Sequence, residues 1–190
     1  MAMVRPRWSI RLVVLLAVGA LALHSSVLVA ENRPPSEYEV KAVFLYNFTK
    51  YVEWPPAVLR ASGDSFVLCV LGADPFGSVL DDTVRGETVH DRQLVTRRVA
   101  RVEEAAGCAL LFVSASEDHD VARILKSVQG MSILTVGEVD GFAERGGVIN
   151  LRKDQNKVRF EINVEAAERS GLKISSQLLK LGKIVKLGGS

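Results

Sequence analysis

Three apolar runs constrain this chain more than any other feature. "FVLCVL" at Phe66–Leu71, "ALLFVS" at Ala109–Ser114 and "SILTV" at Ser132–Val136 are short, rich in β-branched residues and almost free of polar interruption. A strand with one wet face alternates apolar and polar residues. A strand covered on both faces reads as a continuous run. Helical patterns separate the runs. "ADPFGSVLDDTV" reads as a turn and short helix, Val102–Ala106 as a second, and Glu117–Val128 as an amphipathic helix with Val121, Ile124, Leu125 and Val128 on one side. Strand–helix alternation with buried strands predicts a single three-layer α/β domain. Its sheet is mostly parallel, with helices on both faces.

The pattern changes near the C-terminus. Two alternating runs in "VINLRKDQNKVRFEIN" flank Asp154–Asn156, a hairpin signal that adds antiparallel edge strands. Asn163 is placed to cap a short helix ending at Gly171, "LKIS" reads as extended, and Ser176 opens a last helix with Leu178, Leu179 and Ile184 inward. At the other end Ser36 and Glu39 have the spacing of a capping box. The helix that follows is expected to reach about Trp54, before Pro55-Pro56. At 100° per residue Val40, Val43, Phe44, Asn47, Phe48, Tyr51 and Trp54 share one face, which predicts a core role for these rings. Leu45, Thr49 and Glu53 lie away from that face. Tyr46 points sideways, a candidate for a partner or dimer contact.

Residues 1–30 read as a signal peptide. Arg5, Arg7 and Arg11 precede an uncharged run, Leu12–Leu23, and a small residue, Ala30, precedes Glu31. The run is short for a membrane span, which needs about 20 residues. The domain is therefore expected over 31–190, in the periplasm. The whole chain has 24 basic and 22 acidic residues. Three arginines and no acid lie in residues 1–30, leaving 21 against 22 for the remainder. That balance gives no reason to expect nucleic acid as a partner.

Cys69 and Cys108 are the only cysteines. An even count in an exported domain suggests a disulfide, and both sit in or beside strand-like runs; two buried thiols are the alternative. A bridge closing about 40 residues contributes on the order of 4 kcal/mol by loop-closure entropy. No metal site, cofactor or catalytic constellation is apparent. Beyond residue 30 only His90 and His119 occur, without ligand-spaced neighbours, and no nucleophile elbow, phosphate loop or dinucleotide fingerprint is found. The best polar cluster is late. Arg159 and Glu161 share one face of a strand, Asn163 follows, and Lys173 and Ser175 lie close behind in sequence. Glu161 and Lys173 are expected to pair at the carboxyl edge of the sheet or to hold a small polar ligand.

Five blocks in order, "VKAVFLYNFTKYVEWP", "LCVLGADPFG", "CALLFVS", "ILTVGEVDGFAERGGVINL" and "NKVRFEINVEAAERSGLKISSQLLKLGKIV", resemble the YfiR family of small exported bacterial proteins. The resemblance implies a non-enzymatic, dimeric periplasmic α/β protein. It implies repression of a membrane-bound diguanylate cyclase through its periplasmic sensor region, and sequestration by an outer-membrane lipoprotein. The output is cyclic di-GMP, and with it biofilm formation and motility. It also implies a Cys69–Cys108 disulfide linked to periplasmic redox state, and a partner-binding role for Glu161 in "FEIN". Some relatives carry a second cysteine pair near the Gly-Gly turn, which this chain lacks. A periplasmic small-molecule binder serving another sensor, such as a histidine kinase, is the alternative function.

Overall fold

The computed structural model describes residues 33–61 and 63–188. The signal peptide predicted at 1–30 lies outside them. The chain divides into two units, Met1–Pro34 and Pro35–Ser190; the second is described below.

Eight strands form one sheet, which runs from Lys183–Val185 at one border through Lys157–Asn163, Ile149–Asp154, Leu134–Gly137, Leu110–Val113, Ser65–Leu71 and Arg92–Val99 to Thr88–Val89 at the other. In chain order they are β2 (Ser65–Leu71), β3 (Thr88–Val89), β4 (Arg92–Val99), β5 (Leu110–Val113), β6 (Leu134–Gly137), β7 (Ile149–Asp154), β8 (Lys157–Asn163) and β10 (Lys183–Val185). Neighbours are parallel except β3/β4 and β7/β8. Both antiparallel turns are two residues long with positive φ, at His90-Asp91 (51° and 60°) and Gln155-Asn156 (45° and 63°). That geometry matches the twist of the flanking strands.

The continuous apolar runs are explained by burial on both faces. Phe66, Leu68 and Val70 of β2 join one core cluster with Leu110 and Phe112 of β5, and with Leu134 and Val136 of β6. The alternate residues Cys69, Leu71, Leu111 and Val113 join the cluster on the opposite face. The first cluster is covered by α1 (Glu37–Tyr51) and α3 (Ser78–Val84), the second by a 3-10 turn at Val102–Ala105 and by α4 (Val121–Ser127). The mostly parallel three-layer α/β domain is therefore the observed fold.

Four local expectations differ from the structure. First, α1 buries Lys41, Ala42, Leu45, Phe48 and Thr49, while Val43 and Tyr51 are exposed. Apolar residues surround this helix, so periodicity alone does not say which side meets the sheet; Leu45 and Phe48 do, and Phe44 flanks them. Second, α1 stops at Tyr51. The chain then enters a two-stranded antiparallel sheet of β1 (Val52–Glu53) and β9 (Lys173–Ile174), followed by α2 (Pro56–Ala61). Trp54 is core, but from this connection: its indole N–H donates to the Ala109 carbonyl at 3.1 Å and its ring meets Phe66 edge-on. Third, the last helix, α6 (Ser176–Leu179), is one turn long, and Ile184 is 50% exposed in a strand. The helix closes at Leu179 with Lys180 as its C-cap, and the missing Cβ of Gly182 lets Phe160 and Ile162 approach. Fourth, the β7–β8 hairpin is not the border of the sheet, because β10 lies outside it, parallel to β8.

Candidate functional site

Glu161 stands in β8 between two neighbours fixed by strand register, Asn150 of β7 and Lys183 of β10. Phe160 and Ile162 point into the core, so alternation sends Glu161 to the opposite face. Its side chain is 5% exposed. Oε1 accepts from Arg152 Nη1 at 2.8 Å and from Lys183 Nζ at 3.0 Å, and Oε2 faces Asn150 Nδ2 at 3.5 Å. Burial pushes the Glu161 carboxyl up, but the bonds from Arg152 and Lys183 outweigh it and hold the group below its ordinary 4.5. Glu161 is thus a fixed anion and unsuited to take part as a proton donor at neutral pH. Asn150 Oδ1 is buried without a hydrogen-bond partner.

Arg152 and Lys183 reach Glu161 from side chains that are 48% and 67% exposed. Asp154, Arg159, Phe160, Leu181 and Gly182 complete a cleft of about 440 Å³ around them. A buried carboxylate orients two cations whose remaining N–H groups face outward, where they can meet an anionic group.

The other sequence-derived candidates are dispersed. Asn163 is wholly buried; it caps α5 (Val164–Arg169) by accepting from Ala166 N–H at 2.9 Å, and donates to Ala143 O at 2.8 Å. Lys173 lies in the small β1/β9 sheet opposite Glu53. The expected Glu161–Lys173 pair is therefore replaced by Glu161–Lys183, since register and not sequence proximity sets the neighbour. Ser175 caps α6, accepting from Leu178 N–H at 3.2 Å. Tyr46 is half-buried, its hydroxyl donating to the Glu87 carboxylate and its ring lying 3.8 Å from Lys50 Nζ. Cys69 and Cys108 form a disulfide with Cα atoms 5.9 Å apart, joining β2 to the residues that lead into β5. Among the described residues no His, Cys, Asp and Glu group is gathered to hold a metal ion. No helix among them is long and apolar enough to cross a membrane.

One cluster was missed. Lys41, buried in α1, bridges Glu37 at 2.6 Å and Glu138 at 2.7 Å. Glu138 directly follows β6, and its other oxygen accepts from Ala115 N–H at 3.2 Å, just beyond β5. Burial works against the Lys41 ammonium, yet the two carboxylates hold it above its ordinary value. A lysine inside "VKAVF" and a glutamate directly after an apolar strand were the available signals.

Fold and cleft together define a doubly wound α/β domain with charge gathered at one border of its sheet. The chain belongs to the YfiR/HmsC-like family, whose pattern it matches over residues 38–183. One solved structure shares the fold at low identity, and a second shows a weaker likeness. A conserved domain protein from Vibrio cholerae O1 biovar eltor is 12% identical with a TM-score of 0.53, the match covering 78% of this chain and 60% of that one. The ABC domain in complex with L-Trp from Streptococcus pneumonia is 13% identical with a TM-score of 0.46, covering 63% and 55%.

Proposed function

We propose that this protein is a non-enzymatic periplasmic regulator that binds the periplasmic sensor region of a membrane diguanylate cyclase and represses it. Membership of the YfiR/HmsC-like family over residues 38–183 carries the reading. Three further points support it. The leader has the composition of a signal peptide, the domain holds a disulfide suited to an oxidising compartment, and Glu161 is a buried anion that orients two half-exposed cations. Homodimer formation and sequestration by an outer-membrane lipoprotein belong to the same proposal. The test is affinity capture of the tagged protein from solubilised host membranes. Recovery of a cyclase with a periplasmic segment is expected, and recovery of no cyclase or sensor kinase counts against the reading.

A second reading rests on the cleft of about 440 Å³ over Glu161. A small anionic ligand seated on Arg152 and Lys183 would make the protein a ligand-binding subunit for another sensor, such as a histidine kinase. A thermal-shift screen of carboxylates and phosphates, repeated on Glu161→Ala, separates this case: a hit that survives the substitution unchanged removes its support.

A further inference from the structure

One apolar row crosses the sheet in strict register. Val70, Phe112, Val136, Ile149, Ile162 and Ile184 are successive neighbours on six strands. The first five are wholly buried; Ile184 is 50% exposed. It stands in β10, which has β8 on one side and, among the described residues, no strand on the other. Leu181 is 73% exposed and Leu187 43%. Of the six large apolar side chains exposed among the described residues, three therefore fall within seven positions of this one segment. A lysine directly precedes each of them: Lys180, Lys183 and Lys186. Lys183 is already anchored on Glu161 at 3.0 Å, which fixes the position of the strand's own cation.

We propose that β10 is a docking edge for an acidic, extended segment of a partner protein, which adds to the sheet as a ninth strand. An outer strand presents unpaired backbone N–H and C=O groups, and an added strand satisfies them while its side chains cover the exposed row. Strands pair at about 4.8 Å, which places an apolar residue of the newcomer beside Ile184. The charge selects the partner. A second copy of this chain would bring Lys183 of β10, with Lys180 and Lys186 flanking the strand, towards their own kind, and like charges on adjacent strands destabilise pairing. A segment alternating acidic and apolar residues meets both features at once. The identity of such a partner rests on the regulator reading; the docking edge rests on register, exposure and charge alone.

The experiment uses the mature chain and a fluorescein-labelled (Glu-Val)4 peptide. Expected are binding that weakens with salt, slowed amide exchange at residues 183–185, and at least tenfold weaker binding to the double variant Ile184→Glu/Leu187→Glu. The replaced side chains lie at the surface, 50% and 43% exposed, and an unchanged circular dichroism spectrum verifies that the fold is kept. A (Lys-Val)4 peptide, and a (Glu-Val)4 peptide N-methylated at alternate residues, are both expected to fail. No binding of the acidic peptide, equal binding of the N-methylated form, or equal affinity for the double variant overturns the proposal. Because no cyclase is present in this assay, its failure is distinct from failure of the membrane capture.

Discussion

Lys41 and Glu161 are both buried ionic centres, but removing each has a different consequence. Lys41→Met leaves Glu138, whose side chain is 4% exposed, without a cation. A buried carboxylate stranded in this way costs about 3 kcal/mol or more. Denaturant melts should show that loss, with Lys41→Met/Glu138→Gln recovering part of it. Glu161→Gln releases Arg152 and Lys183 to water, since their side chains are already 48% and 67% exposed, and the expected loss is about 1–2 kcal/mol. Glu161 also carries a pH signature. Folding lowers its proton affinity below the ordinary 4.5, so its stabilisation is complete above that value and is lost as pH falls through the folded one. Melting temperature followed from pH 6 to pH 3 should fall less steeply in Glu161→Gln than in the wild type; identical slopes would remove Glu161 as the cause.

At the scale of elements, close approach is set by residues without side chains. Phe142 lies between Gly137 and Gly147, and a Cβ on either would stand inside the ring. Gly147→Ala is expected to destabilise the domain by about 1–3 kcal/mol, with part of the loss restored by Phe142→Leu, as measured by thermal melts. This contact also shows what the sequence could and could not convey. The buried strands, the β7–β8 hairpin and the Ser36 and Asn163 caps were legible because each rests on local pattern or local chemistry. The buried face of α1 was not, because apolar residues surround that helix and only the packed sheet chooses Leu45 and Phe48. Strand β10 was not, because Lys183–Val185 is too short to show a period and borrows its conformation from β8. For the same reason the place of Glu161 on the polar face of its strand was readable while its partner Lys183, 22 positions away, was not.

Across the whole molecule, the Cys69–Cys108 bridge ties β2 to the approach of β5 across a separation of 39 residues. Loop closure of that length contributes about 4 kcal/mol. Cys69→Ser, or dithiothreitol added to the wild type, should lower the melting temperature, and equal melting with and without reductant would remove the bridge from the account. On the proposed reading, the anchored cations of the Glu161 cleft and the lysine-lined border form the charged side offered to another molecule. The central claim is that this presentation holds a diguanylate cyclase in check. It is tested most directly by measuring cyclic di-GMP in the native host with and without this gene, in the presence and absence of a membrane diguanylate cyclase encoded nearby. The account predicts a rise when the gene is lost, abolished when the cyclase is also deleted. An unchanged level, or a rise that persists without the cyclase, would contradict it.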